Sequence, residues 1–275
     1  MAPRFDTVSF LSDYGLEDEF VGVVKAVIRS IAPHVTVLDL THQIPPHDVR
    51  AGSLALARSI QYLPPGVVLA VVDPGVGSDR RAIAVEVGGD EPDDQGVLVG
   101  PDNGLLASAV ALAGGAKRAV SLTNTDYHLD APGPTFAGRD IFAPAAAHLS
   151  LGVDLAELGE AVDPYSLLPG ILPLTRVEDG AVVGEVLWVD RFGNVQLNVD
   201  PAEVEHMGDK VLLRTGDRPA RAATRARSYA DLKAGQVGLL VDSYGMLAIA
   251  LNRRPAAEEL RVGPGDAVTI APATE

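Results

Sequence analysis

The sequence predicts an α/β N-terminal domain with a mainly parallel sheet, followed by a C-terminal all-β, barrel-like domain. Three observations carry this expectation. Up to about residue 151, short apolar runs alternate with segments of helical period, the pattern of a parallel sheet covered by helices. The stretch 163–175 then brings Asp163-Pro164-Tyr165-Ser166-Leu167-Leu168-Pro169-Gly170 and Pro173, a linker composition. Beyond it lie short β-rich segments punctuated by turns, with no helix of comparable strength. The expected organisation is an α/β domain over residues 1–165, a linker over 166–175 and a β-barrel domain over 176–275.

Each element has its own justification. Residues 7–11 read as a short buried strand ending in the turn Ser12-Asp13-Tyr14-Gly15. Phe20, Val23, Val24, Val27, Ile28 and Ile31 recur at helical spacing. Glu17, Asp18 and Glu19 are expected in that helix's first turn, where carboxylates offset the dipole, and Pro33 stops it. A second strand covers 35–40, and Asp48 is a good N-cap for a helix through Leu63. The wholly apolar run 67–72 is a third strand, ending in Asp73-Pro74-Gly75-Val76-Gly77. Runs 82–87 and 96–99, joined by an acidic glycine-bearing turn, read as a hairpin, and an alanine-rich helix follows Asp140 to about Leu151. In the second half, strands are expected at 182–189, 195–199, 210–213, 237–241, 246–251 and 267–270.

Composition removes several function classes. Hydrophobic residues make up 47% of the chain, ample for a packed core. Against 37 Asp+Glu there are only 22 Lys+Arg, a formal net charge of -15 that repels phosphate backbones, so no nucleic-acid partner is expected. There is no cysteine, which excludes disulfides, zinc–thiolate sites and thiol nucleophiles. The start, Met1-Ala2-Pro3-Arg4-Phe5-Asp6, has no apolar signal core and no uncharged run reaches membrane-span length, so a cytoplasmic protein without membrane contact is expected. None of the six histidines has metal-ligand spacing, so no metal is expected; P-loop, G-x-G-x-x-G and G-x-S-x-G motifs are absent too.

The candidate residues sit at strand ends, where α/β sheets bind ligands. Asp13 follows the first strand and Asp73 the third, each close to glycine. Either could be a plain turn residue. Arg80, seven residues after Asp73 across Gly75 and Gly77, could fold back and hold that carboxylate ionised, with Arg81 as the surface residue. Pro101-Asp102-Asn103-Gly104 is by itself a turn signature. Thr135-Phe136-Ala137-Gly138-Arg139-Asp140 lies between a Pro/Gly loop and a helix, so its amides could face a ligand; the plainer reading has Asp140 capping. Asp190-Arg191-Phe192-Gly193-Asn194 offers an acceptor and an amide side by side between two strands. His42 and His47 flank Pro45-Pro46 and read as structural loop histidines.

Ser12-Asp13-Tyr14-Gly15, Thr41-His42-Gln43-Ile44, the stretch 73–81, Pro101-Asp102-Asn103-Gly104, and the stretches 135–144 and 190–198 occur together and in register. In these motifs the chain resembles the S-adenosyl-L-methionine (SAM) hydroxide adenosyltransferases, relatives of the fluorinase and chlorinase enzymes, over nearly its whole length. The resemblance implies an N-terminal α/β domain and a C-terminal β-barrel, a homotrimer with SAM bound between subunits, and no cofactor. It implies hydrolysis of SAM to adenosine and L-methionine by in-line attack of water at the ribose 5′ carbon. Asp13 would take the ribose hydroxyls, and Thr135 and Phe136 would flank the attacked carbon. Asp190 and Ser243, with Tyr244, would hold the methionine end, and Phe192, Asn194, Tyr229, Asn252 and Arg253 would line the adenine pocket. Asp73 and Arg80 match two members of the Asp–Arg–His set that handles the water. The third position, a histidine in the family, is Ala137 here. Three readings stay open: a hydrolase impaired by Ala137, a SAM- or adenosine-binding sensor without turnover, or a SAM-dependent halogenase. The last is disfavoured because the halogenases carry tyrosine at the position of Asp73.

Overall fold

A computed structural model describes residues 4–89, 95–171 and 173–273, and the chain divides into two compact units after Ile171. The acidic turn expected between the hairpin strands, the Met1-Ala2-Pro3 start and Leu172 of the expected linker lie outside the described residues.

The first unit runs β1 (Thr7–Ser12), α1 (Phe20–Ile31), β2 (Thr36–Thr41), α2 (Val49–Ser59), β3 (Val67–Val71), β4 (Ala82–Val87), β5 (Gly96–Pro101), α3 (Ala107–Leu112), β6 (Ala116–Ser121), α4 (Ala143–Ser150) and β7 (Glu160–Val162). They form one sheet in the order β2-β1-β3-β5-β4-β6-β7. β2, β1, β3 and β5 pair in parallel, and β4, β6 and β7 add antiparallel pairings. The mainly parallel sheet is therefore present, with the predicted hairpin β4–β5 built into it. β3 is buried at every position, as its unbroken apolar run requires when both faces are covered. α1 and α4 close one face over Phe10, Val24, Ile28, Leu69, Phe142 and Leu149, and each such side chain contributes about 1.5–3 kcal/mol on burial.

Three local expectations are corrected. Glu17, Asp18 and Glu19 precede α1 instead of forming its first turn, and Glu19 occupies the N-cap without a side-chain bond. α2 does not reach Leu63. It ends at Ser59 and tightens into a 3₁₀ turn over Ile60–Tyr62, while Asp48 caps its start by accepting from Ala51 N at 2.9 Å. Before α4 the chain makes a π-helical turn, Gly138–Phe142, and Asp140 does not cap it: its carboxylate accepts from Arg139 Nε at 2.5 Å and Nη2 at 3.0 Å. Such single π turns tend to occur where a helix has been adjusted for a site.

The second unit comprises β8 (Arg176–Glu178), β9 (Ala181–Val189), β10 (Val195–Leu197), β11 (Lys210–Thr215), β12 (Arg221–Arg225), β13 (Val237–Val241), β14 (Leu247–Leu251), α5 (Ala256–Leu260) and β15 (Ala267–Pro272). The pairing order β10-β14-β13-β12-β11-β15-β9 returns to β10 through a β9–β10 ladder, a closed seven-stranded barrel with β8 added outside β9. Closure leaves the ring no free edge. Val186, Val195, Leu213, Leu239, Ile249 and Ile270 fill the interior. β12 escapes sequence reading because Arg221 and Arg225 bracket two alanines and no apolar run announces it.

The segment expected as a linker is tied down at both ends. Arg81 Nη2 donates to Ser166 O at 2.7 Å and Leu168 N to Asp102 Oδ1 at 2.9 Å, within the first unit. Within the second, Asn198 Nδ2 donates to Pro173 O at 2.9 Å and Thr175 Oγ1 to Glu203 Oε2 at 2.7 Å. Arg81, expected on the surface, is thus half-buried against the nearly inaccessible Asp102 carboxylate.

Candidate functional site

The first unit carries a cavity of about 260 Å³ at the carboxyl ends of β1 and β3, lined by Asp13, Tyr14, Phe20, Pro46, His47, Asp73, Val76, Thr135, Phe136, Ala137 and Gly138. Asp73 lines it and is held from behind by Arg80. Arg80 Nε donates to both Asp73 oxygens at 2.9 and 3.0 Å and Nη2 donates to Oδ2 at 2.5 Å, with side-chain exposures of 14% and 6%. The glycine turn makes this possible. A Cβ at Gly75 would come within 3.0 Å of Arg80 Cγ, and Gly77 takes φ +78°, which side chains disfavour. Ser78 Oγ fastens the turn, donating to Gly75 O at 2.6 Å and accepting from Arg80 N at 3.3 Å. The guanidinium also lies 5.2 Å from the centre of the Phe142 ring. Both the ion pair and its fold-back were legible in the spacing.

Asp13 leaves β1 with its N–H on Val71 O at 3.3 Å, and its Oδ2 accepts from the backbone N–H of His47 at 2.8 Å. Behind it a polar chain running from the buried Ser12 and His42 out to the surface holds the turn. Ser12 Oγ meets His42 Nδ1 at 2.8 Å, His42 Nε2 meets Asp39 Oδ1 at 3.1 Å, and Lys25 Nζ donates to Asp39 Oδ2 at 2.7 Å. Ser12 is fully inaccessible, so this Ser–His–Asp line is scaffolding and not a nucleophile. Gly15 N donates to His42 O at 2.7 Å, so His42 is structural, as its sequence setting predicts.

Tyr14 stands between the two aspartates. Burial pushes its hydroxyl well above the ordinary tyrosine range, the Asp13 and Asp73 carboxylates push it further, and Arg80 only partly offsets them. It remains a neutral O–H donor. Its ring clusters with Phe20 and Phe136, centroids 5.1–5.8 Å apart, with Phe136 edge-to-face to both and Tyr14 tilted against Phe20. A Cβ at Gly138 would overlap the Tyr14 oxygen, so any larger residue there must displace that side chain. Ala137 is buried at the start of the π turn and also lines a second cavity of about 770 Å³ that holds Arg80, Asp140 and His128.

The second unit has its own open cavity of about 800 Å³, lined by Asp190, Phe192, Asn194, Tyr229, Ala230, Leu251, Asn252, Arg253, Arg254 and Pro255. Six of the residues singled out in the sequence therefore meet here. The Asp190 carboxylate organises the loop, accepting from Phe192 N at 2.9 Å, Asn194 N at 2.8 Å and Asn194 Nδ2 at 2.7 Å. Asn252 Nδ2 donates to Leu232 O at 2.8 Å, and Arg253 sits at φ +58°. Phe192 is 77% exposed and Tyr229 47%, so both present open ring surface to this cavity. Ser243 and Tyr244 are exposed in the turn between β13 and β14 and do not line this cavity.

Sequence reading missed Phe20, His47 and Val76 on the first cavity and Arg254 and Pro255 on the second. His47 had one usable signal, its place between Pro46 and the N-cap Asp48, where the chain reverses. Among the described residues no cluster of His, Asp and Glu could hold a metal ion, and no helix is long and apolar enough to cross a membrane.

Fold and site together define an α/β unit with a carboxylate-lined, aromatic-walled cavity joined in sequence to a β-barrel with a second cavity. Residues 8–159 match the family model of the SAM hydroxide adenosyltransferase N-terminal domain and residues 184–269 that of the C-terminal domain. The chain belongs to the SAM hydroxide adenosyltransferase family. It is 46% identical to the (R)-S-adenosyl-L-methionine hydrolase of Salinispora tropica over 98% of this chain and 99% of that one, and 41% identical to the enzyme of the same name from Thermus thermophilus over 96% and 98%. A fluorinase from an Actinoplanes species is 28% identical, over 96% of each chain. A conserved protein of Thermotoga maritima, known by crystal structure, superposes with a TM-score of 0.85 at 37% identity, covering 96% of this chain and 99% of that one.

Proposed function

We propose that this protein hydrolyses S-adenosyl-L-methionine to adenosine and L-methionine. The observation that carries the reading is Asp73, held by the largely buried Arg80 and sharing one cavity with Asp13, in a chain 46% identical to a SAM hydrolase. The sulfonium is already a good leaving group, so the protein's task is to position water behind the 5′ carbon and exclude competitors. Arg80 fixes the Asp73 carboxylate in one orientation, from which it can accept a hydrogen bond from the attacking water. The two carboxylates also favour a cationic substrate and disfavour a halide, which sets the cavity against halogenation. Asp13 has one oxygen on His47 N and the other free for a ribose hydroxyl, and Thr135 and Phe136 flank the reacting carbon. In the second unit, Phe192 and Tyr229 offer faces for the adenine, and Asn194, Asn252 and Arg253 offer hydrogen bonds. Asp190, Ser243 and Tyr244 are assigned to the methionine end.

The working form in this reading is a homotrimer, in which neighbouring copies complete each other's open cavities. Support comes from the family resemblance and from the exposed aromatics of the second cavity. Light scattering at micromolar concentration should give three times the chain mass; a monomer that binds SAM normally would sink the shared site.

The test is incubation with SAM in water enriched in heavy oxygen, followed by chromatography and mass spectrometry. Hydrolysis yields adenosine with the label on its 5′ hydroxyl. Binding of SAM without adenosine would identify a sensor, and a halogenated nucleoside in chloride or fluoride buffer would identify a halogenase.

A further inference from the structure

Position 137 leaves the cavity without the imidazole that the resemblance leads one to expect, yet another histidine lines it. We propose that His47 supplies the missing imidazole, taking the proton from the attacking water. This rests on the hydrolase reading above. His47 lines the same cavity of about 260 Å³ as Asp73, Asp13 and Ala137, and it is the one histidine among the described residues that does so.

Two features set His47 apart from a bystander in a loop. Its backbone is held at φ +67°, a conformation that residues other than glycine rarely adopt. The N–H is pinned on Asp13 Oδ2 at 2.8 Å and the carbonyl accepts from Val49 N at 3.0 Å, so the strain is imposed from both sides. Non-glycine residues kept in this region cluster at functional sites, where the surroundings over-determine them. The second feature is the ring. His42, five residues earlier, has both ring nitrogens engaged, on Ser12 and Asp39. The hydrogen bonds of His47 run through its backbone, and its ring engages no other side chain among the described residues.

The two carboxylates of the cavity have other tasks: Asp73, held by Arg80, orients the water, and Asp13 holds the ribose. Both Asp73 oxygens accept from Arg80, and Asp13 accepts from the His47 amide and faces the ribose in the proposed pose. His128 lies on the neighbouring cavity of about 770 Å³ and not on this one, which makes the His47 imidazole the side chain here best suited to passing protons near neutrality. In the step, the water oxygen forms its bond to the 5′ carbon as the carbon–sulfur bond breaks. The electron pair goes to sulfur, giving the neutral thioether of methionine. One water proton passes to the His47 ring and then to solvent, so sulfonium cation plus water yields adenosine, methionine and one proton.

His47→Gly separates the ring from the backbone, because glycine accepts φ +67° without strain. The expected result is a Tm equal to or above wild type, a kcat for adenosine formation lower by roughly 100- to 10,000-fold, and a KM within a few-fold. Millimolar free imidazole should restore part of the rate. Ala137→His in the His47→Gly background should restore more, by returning the ring from the other wall. A His47→Gly enzyme with unchanged kcat beside an active wild type overturns this inference alone. So does a lost rate that neither imidazole nor Ala137→His recovers, since that marks a structural role. A wild-type protein that makes no adenosine overturns the hydrolase reading, and this inference with it.

Discussion

Breaking the Asp73–Arg80 pair tests the centre of the site most directly. Arg80→Ala removes all three N–H···O contacts and leaves the Asp73 carboxylate, whose side chain is 6% exposed, without a counter-charge. Removing one partner of a buried pair costs about 3–5 kcal/mol, far more than the 0–1 kcal/mol of an exposed pair, because desolvation of the survivor goes uncompensated. The Arg80 side chain is itself 14% exposed, so the lower end, about 3 kcal/mol, is the expectation. For a unit ending at Ile171, each kcal/mol shifts Tm by about 2–4 °C, giving a fall of roughly 6–12 °C. The double variant Asp73→Leu/Arg80→Met should recover most of that loss, since apolar groups of similar volume replace such pairs at little cost. It should not recover adenosine formation. Thermal melts followed by circular dichroism, run beside the chromatographic assay, read both quantities. An Arg80→Ala protein melting within 1 or 2 °C of wild type, roughly the cost of an exposed pair, would refute the burial argument. A double variant that turns over SAM would refute the chemical one.

Three further outcomes follow from the same geometry. Asp13→Ala should weaken SAM binding by roughly 10- to 150-fold, the equivalent of about 1.5–3 kcal/mol for one charged acceptor, with only a small loss of Tm; calorimetry giving an unchanged Kd would return Asp13 to a turn role. Gly138→Ala forces the Tyr14 hydroxyl, on the cavity wall, to shift, so KM should rise and stability should drop by about 1–3 kcal/mol, read by kinetics and melts. Burial holds both His128 and His148 below the ordinary histidine range, so over that interval the unfolded chain binds protons that the folded one does not. Stability should therefore fall as pH drops below about 6.5, levelling off only once the folded-state values are passed, and His148→Gln should flatten the decline in Tm between about pH 7 and 5.

Much of this protein is written in local sequence. The apolar run over β3, the helical spacing from Phe20 to Ile31 and the short strands of the second half each report a burial pattern that neighbouring residues determine. Asp73, Gly75, Gly77 and Arg80 lie within eight positions, so their ion pair follows from turn geometry alone. Other features depend on residues far apart in the chain. β12 forms because β11 and β13 offer it ladders, which its own arginines and alanines do not announce. Asp102 is a turn residue by sequence, yet its carboxylate fixes the backbone of Leu168, 66 positions on. The contrast between His42 and His47 is sharpest. Both flank the same proline pair, but Ser12 and Asp39 claim one ring, while Asp13 claims only the backbone of the other, a residue that lines the cavity. Sequence fixes which groups are present and what each can donate or accept; which ones are already satisfied is decided by packing, because a hydrogen bond depends on distance in space and not along the chain.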